Sequence, residues 1–435
     1  MSSLTRREFL ATASTAAGAA LAAAGPLAGA RTAARQRPNF LFIVSDQMRA
    51  DALAVSGNPF TVTPNLDALA HSGVRFSNAY CAQALCTPSR GAFLSGVYPH
   101  ISGLDQNLYN VPDALADPDL KLKPVWPQLL REAGYYTGYI GKWHLGDRDP
   151  GIFDEWSGYN SLRPHWTGER DKSQYQSDIE TQEAIRFLEA KRTSPFLLML
   201  SYYPPHKPYD PPMADEQIYR DKKVAHPDYW GGVTAIDREL GRVLAKLKET
   251  GQEQNTFVIF IADHGDTFGM RLGSNDKTVC YDDSAKIPFL LRWPNGFPGG
   301  LVYTGGVCTL DLMPTILEAA GLPVPTRAQG KSRLSEIRQK NLGWKAPVFL
   351  ENITQNKIDG AYAVERAVRT ETHKLILRDH PRDEFYNLVD DPSESKDLIA
   401  EPALKPRVRE LAKLMQDWGQ KTGDSVAIKL ASRYA

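Results

Sequence analysis

Uninterrupted runs of apolar residues, each followed by polar residues, are the strongest feature of the hydrophobic pattern. They cover Phe40–Val44, Tyr135–Ile140, Phe196–Leu200 and Phe257–Ile261. An apolar run without polar alternation is typical of a strand that is covered on both faces. The pattern therefore predicts four strands in the interior of one sheet.

Segments with the periodicity of helices lie between these runs. They cover Pro64–Ala70, Pro127–Glu132, Asp178–Ala190 and Thr234–Leu247. Thr63 precedes the first of them and has the chemistry of a helix N-cap. The alternation of strands with helices predicts a mostly parallel sheet with helices on both faces.

The pattern changes at about Lys345, where short apolar segments follow one another closely. These segments are Pro347–Leu350, Tyr362–Val364, Ala367–Arg369 and Lys374–Leu377. Their spacing predicts a small antiparallel sheet, and a helix is expected from about Pro406 to Gln420. The predicted fold class is α/β, with a large, mostly parallel (mixed) sheet flanked by helices at 37–344. A smaller C-terminal antiparallel sheet subdomain is predicted at 345–435.

The charge balance excludes a bulk electrostatic role. Lys+Arg and Asp+Glu are both 51 in this chain of 435 residues, so the formal net charge is zero. No overall field draws the protein to nucleic acid or to an anionic membrane, and neither is expected as a partner. Any site for an anion must therefore be local.

The first 30 residues have the character of a targeting segment. Arg6-Arg7 precedes an alanine-rich run, and Ala28-Gly29-Ala30 fits a cleavage site after small residues. A basic tail or a membrane anchor is the alternative, but Gly25-Pro26 interrupts the run and alanine is too weakly apolar for a stable membrane span. Residues 1–30 are predicted to be a twin-arginine export signal. The protein would then use the twin-arginine export machinery and be periplasmic or secreted.

Polar residues follow each of the four predicted strands. They are Asp46-Gln47, Lys142-Trp143-His144, His206 and Asp263-His264. Ligands of open parallel sheets bind beyond the carboxyl ends of the strands, so these residues are expected to share one site. Each alone has an ordinary structural explanation, such as a helix cap, a surface lysine or a hydrogen-bonded histidine. The set as a whole favours a functional site.

Several motifs occur together with these residues. They are Cys86-Thr87-Pro88-Ser89-Arg90, Gly96–His100, Gly141–Gly146, Pro205–Pro208, Asp263-His264-Gly265, Lys277 four residues before Tyr281, and Glu384–Leu388. This set resembles the type I sulfatases of the alkaline phosphatase superfamily over nearly the whole chain. The resemblance implies an alkaline phosphatase-like fold, a catalytic domain at 37–344 and hydrolysis of a sulfate ester.

The resemblance also implies a mechanism. In that family the cysteine at the position of Cys86 is converted to formylglycine by a formylglycine-generating enzyme. One hydroxyl of the aldehyde hydrate attacks sulfur and the other then expels sulfate, a route that a plain serine lacks. The resemblance also implies five further catalytic residues. Arg90 would hold the modified side chain or the metal ligands, and Lys142 and Lys277 would neutralise the sulfate oxygens. His144 would position or deprotonate the hydrate, and His206 would donate a proton to the leaving alcohol.

The metal ligands implied are Asp46, Gln47, Cys86, Asp263 and His264, holding one divalent cation. Many relatives have an acid in place of Gln47 and an asparagine in place of His264. Carboxylate and amide oxygens favour Ca2+ as the first expectation. The imidazole suits Mn2+ or another transition ion, which remain alternatives.

Other activities are compatible with part of this pattern. Phosphonate monoester or phosphodiester hydrolases of the same superfamily can share the cysteine motif and the metal ligands, although Lys142-Trp143-His144 favours a sulfatase. A non-catalytic binding homologue would be expected if Cys86 were unmodified. A sulfated carbohydrate or other sulfated small molecule is the expected substrate, and the rim residues proposed for it are Trp156, Tyr159, Arg163, His165 and Trp166.

The remaining cysteines and histidines are expected to be structural. Cys81, Cys280 and Cys308 have no metal-binding spacing and are predicted to be small buried residues, although a bridge between Cys280 and Cys308 stays open. The histidines assigned to structural or surface roles are His71, His165, His226, His373 and His380.

Overall fold

The structure is a computed structural model, and it describes residues 37–354, 356–358 and 360–435. The predicted export signal at residues 1–30 lies outside the described residues. The boundary between 37–344 and 345–435 stays a prediction.

Among the described residues, eight strands form one large sheet. They are β1 (Asn39–Asp46), β2 (Val74–Tyr80), β3 (Tyr136–Lys142), β4 (Glu155–Tyr159), β5 (Phe196–Pro205), β6 (Thr256–Ala262), β7 (Phe289–Arg292) and β8 (Leu301–Cys308). The strand order is β4-β3-β5-β1-β6-β7-β2-β8, and only β7 runs antiparallel to its neighbours. The four predicted strands are β1, β3, β5 and β6, which lie side by side in the centre. The predicted fold class is confirmed.

The helices of the described residues pack on this sheet and close the chain. They are α1 (Pro64–Ser72), α2 (Cys86–Ser95), α3 (Pro99–Ser102), α4 (Trp126–Glu132), α5 (Gln176–Glu189), α6 (Met213–Asp221), α7 (Pro227–Glu249), α8 (Asp282–Ala285), α9 (Leu312–Ala320), α10 (Leu334–Arg338), α11 (Lys405–Thr422) and α12 (Ser425–Ala431). Short 3-10 turns lie at Ala50–Ala52, Ala54–Ser56, Glu253–Asn255, Thr309–Asp311, Pro402–Leu404 and Ser432–Tyr434. None of the described helices has the length and apolar character needed to cross a membrane.

Two local predictions are settled by side-chain contacts. Thr63 stands at the N-cap of α1, but its hydroxyl accepts the N–H of Ala54 at 2.9 Å and does not cap the helix. The four cysteines, all within the described residues, are buried free thiols, so the structure has no bridge between Cys280 and Cys308.

The second sheet lies in the C-terminal part of the chain and is antiparallel throughout. Its strands are β9 (Val348–Ile353), β10 (Val364–Arg369), β11 (His373–Arg378) and β12 (Glu384–Asn387), in the order β12-β11-β10-β9. Tyr362–Val364 and Ala367–Arg369 were predicted to be separate strands, which is wrong, because a single strand begins at Val364 and continues to Arg369. The polar pair Glu365-Arg366 interrupts the apolar pattern, yet both side chains are buried and ion-paired.

A buried arginine links this sheet to the segment that follows Lys277. Arg378 on β11 forms ion pairs with Glu365 on β10 at 2.5 Å and with Glu384 on β12 at 3.0 Å. Glu365 in turn accepts the backbone N–H of Cys280 at 2.8 Å, and the Tyr281 hydroxyl lies 3.2 Å from Arg378. The small sheet therefore fixes the backbone three and four residues after Lys277.

Replacing Arg378 by methionine is expected to lower the free energy of unfolding by about 3–5 kcal/mol, because it leaves buried carboxylates without their partner. The matched control is Arg382→Met, since the Arg382 side chain is 64% exposed and lies 4.0 Å from Glu384. It is expected to change stability by about 0.5 kcal/mol or less. Urea unfolding of both variants makes the measurement, and equal midpoints would rule out this role for Arg378.

Candidate active site

The carboxyl ends of the central strands bring together the polar residues that follow them in sequence. Asp46 ends β1, Lys142 ends β3, His206 follows β5 and Asp263 follows β6. The Asp46 Oδ2 atom lies 2.5 Å from Lys142 Nζ, and both side chains are fully buried. Burial alone would raise the pKa of the Asp46 carboxyl, but the charges of Lys142 and Arg90 outweigh burial and hold this pKa well below its usual range.

Cys86 is the first residue of α2 and points into this group of charges. Its Sγ atom lies 3.1 Å from His264 Nε2, 3.5 Å from Lys277 Nζ, 3.7 Å from Asp46 Oδ1 and 3.8 Å from Lys142 Nζ. Burial and the Asp46 carboxylate act to raise the pKa of the Cys86 thiol, but the surrounding cations prevail and lower it. The position favours an anionic oxygen or sulfur atom at the end of this side chain.

The start of α2 offers few free backbone N–H groups to an anion. Pro88 has no N–H, and the N–H of Thr87 is already bound to Asn107 Oδ1 at 3.0 Å. The positive character around Cys86 therefore comes mainly from the lysine side chains. Asn107 was not identified from the sequence, because nothing in its neighbourhood marks it as a partner of α2.

Arg90 is the structural centre of the site. Its Nε atom donates to Asp263 Oδ2 at 3.0 Å and its NH2 group donates to Asp46 Oδ2 at 3.2 Å. Its NH1 group donates to the Lys142 carbonyl at 2.6 Å and to Ser201 Oγ at 2.9 Å. One guanidinium thus links the ends of β1 and β3 to the middle of β5 and to the residue after β6, a geometry that a planar fork of donors allows and a lysine does not.

Lys277 and His206 form a hydrogen-bonded pair beside Cys86. The Lys277 Nζ atom lies 2.8 Å from His206 Nε2, and His206 Nδ1 lies 2.7 Å from the Lys207 carbonyl. An ammonium can only donate, so Nε2 is the acceptor and Nδ1 carries the proton of the imidazole. Burial, followed by the charge of Lys277, lowers the pKa of His206. The proton shared by this pair therefore lies on Lys277.

Two of the predicted site residues have left-handed backbone conformations that are rare outside glycine. The φ angles are +62° for Gln47 and +58° for His144. Gly141 on β3, three residues before His144, has φ +98°, and a Cβ atom there would clash with the Ser201 carbonyl. Such strain costs on the order of 1–3 kcal/mol per residue and is concentrated at functional sites.

His144 has a side chain that is buried but not engaged. Neither ring nitrogen has a hydrogen-bond partner within residues 37–354, 356–358 and 360–435. Burial, followed by the charges of Lys142 and Arg90, lowers the pKa of the imidazole, which keeps it neutral. Both nitrogens are therefore available to a bound substrate.

Four of the five predicted metal ligands fit a metal site. Ligand atoms of Asp46, Cys86, Asp263 and His264 all lie within 4.8 Å of one another. The His264 Nδ1 atom lies 2.9 Å from the Gly265 carbonyl, which leaves Nε2 facing the cluster, as in histidines that bind metals. Burial alone would lower the pKa of His264, but Asp263 and the Cys86 sulfur raise it to about 9, so the cluster favours a positive charge.

The fifth predicted ligand, Gln47, points its oxygen to one side of this cluster. Its Oε1 atom accepts a hydrogen bond from Lys277 Nζ at 2.9 Å, and its backbone N–H donates to Asp263 Oδ1 at 3.0 Å. The side-chain nitrogen faces Asp266 and Asp276, two acids that sequence reasoning did not single out. Their adjacency to Asp263-His264-Gly265 and to Lys277 was the available signal.

A cavity of about 160 Å3 opens above Cys86. Its lining comprises Cys86, Asn107, Tyr109, Lys142, His144, Ser161, Leu162, His206, Asn275, Asp276 and Lys277. It thus collects five of the six predicted catalytic residues, and the sixth, Arg90, lies beneath them. Tyr109 and Leu162 are exposed at its mouth.

The five residues predicted for the substrate rim do not line this cavity. Trp156 packs against Tyr139 and Trp143, and Trp166 packs against Tyr175. His165 is stacked on Tyr203, Tyr159 is largely buried, and Arg163 lies over the Tyr159 ring. Among the described residues of 147–176, the cavity is lined by Ser161 and Leu162.

The mostly parallel sheet, with a polar cluster at its carboxyl edge, has an alkaline phosphatase-like fold of the α/β class. The chain matches the Sulfatase family over residues 38–322. It also matches the family described as N-sulphoglucosamine sulphohydrolase, C-terminal, over residues 271–421. The chain belongs to the sulfatase family of the alkaline phosphatase superfamily, and it is a sulfuric ester hydrolase.

Known proteins similar to this chain include several hydrolases. The ulvan-active sulfatase of Formosa agariphila is 28% identical over 423 residues, covering 86% of this chain and 80% of that protein. A structure solved in complex with its substrate D-glucosamine-2-N,6-O-disulfate has a TM-score of 0.77 at 22% identity, covering 90% of this chain and 99% of the other. The phosphonate monoester hydrolase of Silicibacter pomeroyi has a TM-score of 0.70 at 21% identity, covering 89% and 96%. The fold is therefore common to proteins with different substrates.

Proposed function

We propose that this sulfatase hydrolyses a sulfate ester of a carbohydrate through a formylglycine made from Cys86. The observation that carries the proposal is the position of the Cys86 side chain, at the base of a cavity that contains two lysines and two histidines. The ulvan-active sulfatase and the structure complexed with a glucosamine disulfate support a sugar as the sulfated group. Formylglycine supplies the nucleophile in place of the thiol.

The side chains around Cys86 would bind and orient the sulfate group. Lys142 and Lys277 approach the Cys86 Sγ atom from 3.8 Å and 3.5 Å, so each can neutralise a sulfuryl oxygen. His144 offers two unengaged ring nitrogens to the reacting group. His206 remains the proposed donor to the leaving alcohol, with Lys277 as the source of its proton.

Asp46, Asp263 and His264 would hold one divalent cation together with the modified Cys86, and Gln47 would complete the set. The cation would polarise a sulfate oxygen and lower the pKa of the attacking hydroxyl. Three oxygen-bearing side chains favour Ca2+, and the imidazole keeps Mn2+ as the alternative. Arg90 holds two of these carboxylates in place through its own hydrogen bonds.

The modification would precede folding and export. The Cys86 side chain is 0% exposed, so a formylglycine-generating enzyme can reach it only before the chain closes around it. Twin-arginine export, proposed from Arg6-Arg7, carries folded proteins, which is consistent with completion of the site in the cytoplasm. The enzyme would then act in the periplasm or outside the cell.

Mass spectrometry of the tryptic peptide Phe76–Arg90 tests the modification. The protein should come from cells that contain a formylglycine-generating enzyme. Conversion of Cys86 is expected to lower the mass of this peptide by about 18 Da. Cys81 lies in the same peptide and should still be alkylated, which makes it an internal control. A peptide with two alkylated cysteines would remove the proposed mechanism.

A substrate comparison separates the proposed activity from phosphonate hydrolysis, which a protein of the same fold carries out. A sulfated monosaccharide, an aryl sulfate and an aryl phosphonate monoester should be offered to the same modified preparation. The proposal expects the highest kcat/KM for the sulfated sugar. A preference for the phosphonate would contradict the proposed activity and favour phosphonate monoester hydrolysis.

A further inference from the structure

The amide of Gln47 lies between two carboxylates and an ammonium group. Its Nε2 atom is 2.7 Å from Asp266 Oδ2 and 3.4 Å from Asp276 Oδ2. Its Oε1 atom is 2.9 Å from Lys277 Nζ. All four side chains are buried, so none of these groups can exchange its partner for bulk water.

Only one orientation of the amide satisfies these neighbours. A carboxylate accepts hydrogen bonds and an ammonium donates them, so the amide nitrogen must face the acids and the amide oxygen must face Lys277. In the reversed amide, the oxygen would face both carboxylates and the nitrogen would face the ammonium group. Chemistry therefore determines the orientation of Gln47 without reference to its hydrogen positions.

Two further hydrogen bonds hold the Asp266 carboxylate in place. Its Oδ2 atom also accepts from the Tyr209 hydroxyl, and its Oδ1 atom accepts from the Phe268 N–H at 2.7 Å. Asp276 is 3.4 Å from the ammonium group of Lys207. The left-handed backbone at Gln47, with φ +62°, requires such contacts to persist.

We propose that Asp266 and Asp276 are positioning residues, which turn the oxygen of Gln47 towards the side of Cys86 and Lys277 and make an amide the required residue at position 47. This inference rests on the proposed function, in which the cluster of Asp46, Asp263 and His264 binds a divalent cation. The acid that many relatives have at this position would not fit here alone. One of its oxygens would occupy the place of Nε2, beside two carboxylates.

An exchange of amide and acid between positions 47 and 266 tests the inference. Gln47→Glu places a carboxylate next to the carboxylates of Asp266 and Asp276. Asp266→Asn has no favourable orientation. In one, the asparagine nitrogen faces the amide nitrogen of Gln47, and in the other it faces the Phe268 N–H. The double variant Q47E/D266N keeps the total charge and pairs the amide of Asn with the acid of Glu, while its oxygen still accepts the Phe268 N–H.

The affinity for Ca2+, and separately for Mn2+, should be measured by calorimetric titration of the metal-depleted full chain. Each single variant is expected to weaken binding by about tenfold or more, as for losses of groups that orient metal ligands. The double variant is expected to recover most of this loss. Gln217→Glu is the matched control, because Gln217 donates to Asp221 at the same 2.7 Å but is exposed on α6. It should leave the affinity unchanged.

The outcomes separate this inference from the function on which it depends. A wild-type chain that binds neither cation would contradict the proposed metal site. A wild-type chain that binds, with a Q47E variant that binds equally well, would overturn the positioning role alone. Failure of the double variant to recover would also overturn it, provided that thermal unfolding shows all variants folded. If Q47E alone does not fold, recovery of folding and binding in the double variant supports the pairing, and loss of both contradicts it.

Discussion

Replacing Cys86 by alanine is expected to lower kcat for sulfate release by about 10,000-fold or more, because in the proposed mechanism it removes the group that becomes the nucleophile. The variant should remain folded, since alanine removes a single sulfur atom and leaves only a small gap. Hydrolysis of a sulfated sugar, followed by ion chromatography of the released sulfate, gives the measurement. Retention of more than a few per cent of the wild-type rate would show that another residue attacks.

Two further cysteine variants sharpen this result. Cys81→Ala is the matched control, because Cys81 is buried five residues upstream and its Sγ donates to the Ala285 carbonyl at 3.3 Å, away from the cavity. We expect it to retain wild-type kcat. Cys86→Ser keeps an oxygen but lacks the second hydroxyl, so it is expected to retain the sulfate after one turnover. A mass increase of about 80 Da on the serine peptide would reveal this trapped group.

Replacing Arg90 by methionine is expected to have the largest combined effect on stability and activity. The guanidinium is 1% exposed and donates to Asp46, Asp263, the Lys142 carbonyl and Ser201. Methionine has a similar volume but leaves two buried carboxylates with fewer partners. Removal of one member of such a buried ion pair costs about 3–5 kcal/mol. Because Arg90 also sets the positions of the cluster carboxylates, kcat should fall by about 100-fold or more.

Arg90→Lys distinguishes the charge of the side chain from its geometry. Lysine keeps the positive charge but cannot bind Asp46, Asp263 and the Lys142 carbonyl at once. We therefore expect its stability to lie between the wild type and R90M, while its kcat stays close to that of R90M. Urea unfolding and sulfate release on the same preparations make the comparison. Full activity in R90K would mean that charge alone suffices.

The sequence predicted the centre of the sheet well because buried strands have a recognisable pattern of apolar residues. β1, β3, β5 and β6 are covered on both faces, so their apolar runs are continuous and easily recognised. Their carboxyl ends lie at one edge of a parallel sheet, and the polar residues that follow them therefore had to meet. Lys142, His144 and His206 lie close together for this reason, whereas Cys86, Arg90 and Lys277 do not follow a central strand directly.

Strand β10 shows where local pattern is insufficient. Glu365 and Arg366 look like a break between two strands, because both are charged. Their partners Arg378 and Asp424 are 13 and 58 residues away in sequence. Burial of a charge depends on the partner that compensates it, and no local pattern records such a partner.

The site also combines residues that the sequence predicted with contacts that only tertiary packing decides. By itself the sequence determined the α/β class, the central strands and the motif residues from Asp46 to Lys277, because strand burial and reactive side chains have short-range signatures. Only the tertiary structure showed that Asp266 and Asp276 contact the amide of Gln47, that Lys277 and His206 form a pair, and that Ser161 and Leu162 line the cavity. Each of these depends on distances between segments far apart in the chain, and packing sets those distances.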